Sequence, residues 1–225
     1  MQMMRIAGLG LLAAACAVAV PAARQLTPPA GWKWVADQKV ELAPKLTPGE
    51  GTWLFGTMAP GWHITTRPGV TLYEPTYAAR GRFVLESEVF LFPGTSADGF
   101  GIFAGGRDLE ASGSYVAFLI RRDGSAAIEV VEKGQHTLRQ PWTKVAAILP
   151  GNTSGDPIKN ILRVEAEASK VAFRVNGTHV AELPRDAASL DGIVGLRIGA
   201  DLNLHVTNLD LTHRLALPPA PKGAQ

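Results

Sequence analysis

The sequence predicts an all-β domain made of antiparallel sheets packed face to face. Three observations carry that expectation. From Trp53 onward, short apolar segments alternate with clusters of Gly, Pro, Asn and Asp, almost nothing repeats at helical spacing, and no crossover helices separate the segments. The chain has 225 residues, of which 46% are hydrophobic and 19% charged, the composition of one ordinary globular domain rather than a disordered chain.

Strands are expected at 62–66, 70–73, 82–92, 100–104, 114–122, 126–132, 137–140, 144–149, 160–168, 170–175, 179–183, 193–198 and 202–213. Only "RDAASLDG" reads as helical, for one or two turns. In "VAFRVNGTHVAEL" the residues Val171, Phe173 and Val175 point inward before Asn176-Gly177, a pair that tolerates positive φ and predicts a type I′ hairpin. In "LNLHVTNLDLTH" the apolar positions Leu202, Leu204 and Val206 change parity to Leu209 and Leu211. Keeping both sets inward requires one extra residue near Thr207-Asn208, a bulge.

The ends of the chain read differently. "MQMMRIAGLGLLAAACAVAVPAARQ" has one early positive charge, Arg5, then an apolar run and small residues, the pattern of a secretory signal cleaved after Ala22. The expected organisation is a signal peptide at 1–22, an extended leader at 23–50, the β-sandwich at 51–214 and a proline-rich tail at 215–225, with a secreted or periplasmic destination. The single cysteine, Cys16, lies inside the signal, so no disulfide staples the mature domain. "LAAAC" loosely suggests a lipoprotein box, and a lipid on Cys16 is the only expected membrane link.

The formal net charge is +2 with Lys and Arg scattered, which excludes a nucleic-acid footprint. No G-x-S-x-G elbow is present. The histidines His63, His136, His179, His205 and His213 form no i,i+2 or i,i+4 pair, so a zinc site is not expected, no metal is assigned and no cofactor is expected.

"FRVNGTHVAELP" with "LDGIVGLRIGADLNLHVTNLDL" resembles the closing half of the concanavalin A-like lectin/glucanase superfamily, and "GRFVLESEVFLFPGTSADGFGIFAGGRD" is similar to its first core strands. The resemblance spans about 82–212 and implies a two-sheet jelly-roll β-sandwich. The superfamily holds lectins, laminin G-like modules, glycoside hydrolases and 3-keto-disaccharide hydrolase-like domains, so it leaves activity open. The opening motif of the last group is represented only by "WLFGTMAPGWHI". Where glucanases carry E-x-D-x-x-E, this chain has "LESEVF", without the central aspartate and third acid.

Candidate site residues come from four places. Gly105-Gly106-Arg107-Asp108 lacks the helix that a phosphate loop needs, so it reads as a strand-to-strand connection with Arg107 and Asp108 at a rim. Glu86 and Glu88 are two apart on one strand, about 6.5 to 7 Å along it, and share a face with Val84, Phe90 and Phe92. Paired acids at about 5 to 5.5 Å suit retaining glycoside cleavage and wider pairs inversion. They are therefore the weak catalytic candidates, against the duller reading of carboxylates paired with arginines. "PGWHITTRPGVTLYEP" gathers Trp62, His63, Arg67 and Tyr73, aromatic and directional groups of the kind a sugar site uses, although Trp62 and His63 should face opposite ways. Tyr115 and Arg121 share a parity on their strand, and Trp142 follows Pro141.

These observations imply three readings: a sandwich that binds carbohydrate on an open sheet or loop rim without turnover; a glycoside-acting enzyme using Glu86 or Glu88, with Arg107 or Arg121 orienting the sugar; and a protein-binding module of the laminin G-like kind.

Overall fold

A computed structural model describes residues 27–39, 41–42, 52–187 and 189–215. The expected signal peptide with Cys16, part of the leader, and the tail beyond Leu215 lie outside the described residues. The strands in chain order are β1 (Lys33–Ala36), β2 (Glu41–Leu42), β3 (Thr52–Thr57), β4 (Trp62–Thr65), β5 (Val70–Ala79), β6 (Phe83–Leu91), β7 (Gly99–Arg107) and β8 (Ser114–Arg121). They continue as β9 (Ser125–Glu132), β10 (Gln135–Lys144), β11 (Ile158–Ala166), β12 (Lys170–Val175), β13 (Thr178–Pro184), β14 (Gly192–Ile198), β15 (Asn203–Val206) and β16 (Asp210–His213).

Two sheets form the sandwich. The front sheet runs β1-β5-β14-β7-β8-β9-β10, and the back sheet β13-β12-β11-β6-β15-β4-β3-β2, with β16 continuing beside β6. Among the described residues every pairing is antiparallel except the short β2–β3 contact. Alternation explains which side is sealed. Phe83, Leu85, Val89 and Leu91 of β6 are buried between the sheets, and Phe118 of β8 meets Phe173 of β12 across the gap with ring centroids 5.4 Å apart. Each such side chain contributes roughly 1.5–3 kcal/mol by leaving water.

The hairpin at Asn176-Gly177 has φ of 49° and 78°, both positive as a type I′ turn demands, and joins Val175 to Thr178. The last strand slips as expected: Val206 pairs with Val89 but Asp210 with Glu86, so four steps on one side answer three on the other. The extra residue keeps Leu204, Val206 and Leu209 all buried.

Four expectations are corrected. The described part of the expected leader is built into the sandwich rather than appended to it: β1 is the front sheet's edge, Trp34 packs edge-on against Trp53 at 5.5 Å, and Trp32 lies 4.8 Å from Trp62. The expected strand 137–140 runs on through Pro141 to Lys144 as β10, and the expected strand 144–149 is instead a turn after it, in which the Ile148 N–H donates to the Val145 carbonyl. Pro141 does not interrupt β10, because an edge strand paired only with β9 can spare an N–H. Strand 70–73 continues to Ala79 through Pro75, and the helical stretch reduces to one 3₁₀ turn, Arg185–Ala187, too short to bury a face.

Candidate functional site

The expected site residues divide between the two outer faces and the two ends of the sandwich. On the back sheet's outer face, Glu86 and Glu88 meet cations from β11. Arg163 donates to Glu86 at 3.0 Å and to Glu165 at 2.7 Å, Arg174 donates to Glu165 at 3.2 Å, and Lys159 donates to Glu88 at 3.1 Å. The hydrogen bond to Glu86, followed by those to Glu165, raises the Arg163 pKa against the opposing pull of burial. This is a cross-strand ion-pair ladder in which each acid is tied to a cation.

His63 sits on the same outer face, 9% exposed, with Phe92 edge-on at 5.3 Å and His205 at 6.5 Å. Burial, then the neighbouring His205, lowers its pKa, while Asn203 opposes them. Trp62 alternates to the inner side and packs against the core.

The front sheet's outer face carries Tyr73, Tyr115 and Arg121. Tyr73 and Tyr115 are buried around Phe103, and burial followed by the Glu110 carboxylate pushes the Tyr73 phenol up to about 12. Between them Arg197 holds Asp37 through two parallel hydrogen bonds of 3.0 and 2.8 Å. Burial opposes the Arg197 charge, and Asp37, Tyr115 and Glu129 more than offset it, so its pKa is raised.

The ends carry the cavities. At the end where β7 finishes, a cavity of about 590 Å³ is bounded by Lys33, Tyr73, Asp108, Glu110 and Ser112. Arg107 stands outside it and donates to Ser189 Oγ at 2.7 Å. Gly105 has φ of 74°, and a Cβ there would lie 2.1 Å from the Ser189 carbonyl, so the glycine admits a close backbone approach. The turn itself is made by Asp108, whose carbonyl accepts the N–H of Ala111 and of Gly113.

At the opposite end two cavities adjoin and share Thr95 and Ser96 of the β6–β7 connection. One, about 470 Å³, is bounded by Thr65, Thr66, Arg67, Asp201 and Asn203, and the other, about 360 Å³, by Arg121, Arg122, Asp123, Pro150 and Gly151. Side chains lock this end to the backbone. Ser96 donates to the Ala200 carbonyl at 2.7 Å, the Ala200 N–H to Asp98 at 2.7 Å, Thr66 to the Gly199 carbonyl at 2.6 Å, and Arg122 to the carbonyls of Asn152 and Phe92. Arg67 faces Asp201 at 3.7 Å. Thr65 Oγ1 and Asn203 Oδ1, cross-strand neighbours, are buried without a hydrogen-bond partner among the described residues. Such a rim of hydroxyl, amide, guanidinium and carboxylate groups on rigid strand ends can bind a polyhydroxylated molecule directionally.

Of the residues bounding these two cavities, the sequence singled out Arg67 and Arg121 as candidates and not Thr95, Ser96, Arg122 and Asn203, which converge only through pairings between distant strands. Among the described residues no three His, Cys, Asp or Glu side chains cluster to hold a metal ion.

The chain superimposes on the carbohydrate-binding module CBM66 from Bacillus subtilis with a TM-score of 0.57 at 13% identity, over 80% of this chain and 94% of that one. A protein of unknown function with a galectin-like fold from Bacillus subtilis gives 0.56 at 12% identity, over 81% and 89% respectively. The fold is a concanavalin A-like jelly roll. A functionally unknown protein from Saccharomyces cerevisiae shares this jelly roll with a TM-score of 0.52 at 15% identity, over 84% of this chain and 100% of that one. No family model and no curated protein matches the sequence.

Proposed function

We propose that this chain is an exported jelly roll that binds carbohydrate without turning it over, and that the glycan occupies the end of the sandwich around Thr95 and Ser96. The observation that carries this is the pair of adjoining cavities, about 470 and 360 Å³, in whose polar lining Thr66, Ser96 and Arg122 are fixed by side-chain bonds to the backbone. A sugar needs many directional donors and acceptors held in place before it arrives, since ordering them on binding would consume the affinity. The module neighbour CBM66 supports the same ligand class by analogy of fold. Binding is favoured over catalysis because Glu86 and Glu88 lie on an outer face away from these cavities, each tied to a cation.

A glycan array followed by calorimetric titration tests this. The expected result is binding of a saccharide, weakened at least fivefold by Asn203→Ala or Arg67→Ala, unchanged by Glu86→Gln or Glu88→Gln, and with no cleavage product on prolonged incubation. A folded sample that binds no glycan would overturn the reading, and cleavage abolished by either glutamine variant would replace it with the enzymatic one. Export is tested by the mature N-terminus, expected at Ala23 in an extracytoplasmic fraction.

A further inference from the structure

The smaller of the two cavities is bounded by a guanidinium that the fold orients but does not use. The Arg121 guanidinium carbon lies 3.6 Å from the centroid of the Trp142 ring. Trp142 is itself seated on the sheet, because Gly99 leaves room for it: a Cβ at Gly99 would lie 2.6 Å from the indole. The two register shifts in β10 around Gln140 and Thr143 accompany its turn onto the front sheet.

An arginine in a folded protein ordinarily spends its donors on carboxylates or carbonyls. Among the described residues Arg121 makes no ion pair and no side-chain hydrogen bond, and its Nε is buried without an acceptor. Arg122, beside it, reaches only the carbonyls of Asn152 and Phe92, and its Nε is also unpartnered. Asp123 contributes the one carboxylate of this cavity, and that group is already held by Lys144 at 2.8 Å and by Ser125. Positive charge is thus left uncompensated in a cavity of about 360 Å³, near the low end for small-molecule sites. A guanidinium flat on an indole keeps its planar edge available for two parallel hydrogen bonds to an oxyanion.

We propose that this cavity receives the anionic group of an acidic sugar unit, a carboxylate or a sulfate ester, with Arg121 as the principal receptor and Arg122 supplying further positive potential. The proposal rests on the glycan reading above and narrows it to acidic saccharides. The Thr95 and Ser96 boundary shared with the larger cavity gives the neighbouring sugar units a place beside Arg67 and Asn203.

Calorimetric titration with trigalacturonate and its trimethyl ester, and with dextran sulfate and dextran oligosaccharides of equal length, tests it. At least one anionic probe is expected to bind at least tenfold more tightly than its neutral partner, and which one does so distinguishes carboxylate from sulfate. Arg121→Gln should remove that preference, Arg121→Lys should restore it in part, and inorganic sulfate should compete with the anionic probe. If charged and neutral partners bind alike, or if Arg121→Gln leaves the preference intact, the anion site is wrong while the glycan reading stands. If the folded protein binds no saccharide of either kind, on these probes or on the array, both fall.

Discussion

Asn208 Oδ1 accepts the backbone N–H of Glu88 at 2.8 Å, at the point where the last strand slips by one residue along β6. The slip would otherwise leave that N–H without its ladder partner, and an unmade bond in a half-buried sheet costs more than a made one contributes. The backbone carbonyl of the same asparagine accepts the Ser87 Oγ–H at 2.8 Å, so one residue partners two groups of β6 beside the bulge. Asn208→Ala is expected to cost about 1–2 kcal/mol in urea denaturation. An unchanged midpoint would mean that water satisfies Glu88 equally well.

Two glycines separate steric from conformational need. A Cβ on Gly101 would lie 2.0 Å from the Phe118 carbonyl oxygen of the paired strand, with no flexible group to yield. Gly81 has φ of +60° but nothing within 4 Å of its Cβ position. Gly101→Ala is expected to destabilise by roughly 2–3 kcal/mol and Gly81→Ala by only about 1 kcal/mol. Equal losses in thermal melts would contradict this assignment.

The bidentate contact between Asp37 and Arg197 ties β1 to β14 across β5. The arginine side chain is 12% exposed and the aspartate 49%, so solvent screens part of the pair. Asp37→Asn should therefore cost about 1–3 kcal/mol, less than a fully buried pair. Hydrogen exchange of the β1 amides should accelerate before that of β7, and uniform acceleration would argue against a local tie.

His63 sets a pH dependence. Its folded pKa lies below the ordinary 6.5, so between those values the unfolded chain binds the proton that the folded chain refuses. Stability is then complete above about pH 6.5 and declines as pH falls through the folded pKa. The groups facing His63 are His205, Asn203 and Phe92. His63→Gln should flatten the fall in melting temperature between pH 7 and pH 5, and an unaltered slope would assign the dependence elsewhere.

What the sequence made legible follows from what is local in a β-sheet. Alternation placed Phe83, Leu85, Val89 and Leu91 in the core, the Asn176-Gly177 pair announced its turn, and the parity change at Leu209 announced the bulge. The edge strand β1 was missed because four residues among prolines, paired only to β5, carry too few alternations to be recognised. The site was legible only in pieces. Arg67 stood out beside Trp62, His63 and Tyr73, and Arg121 by its parity with Tyr115, whereas their convergence on Thr95 and Ser96 depends on the ends of β4, β6 and β8 meeting the start of β15, which no local pattern reveals.

The most direct test is to map amide chemical shifts while a bound saccharide from the array is titrated. Perturbations concentrated at Arg67, Thr95, Ser96, Arg121 and Asn203 are the predicted result. Perturbations confined to the Tyr73 and Glu110 end, or to the Glu86 and Glu88 face, would contradict it.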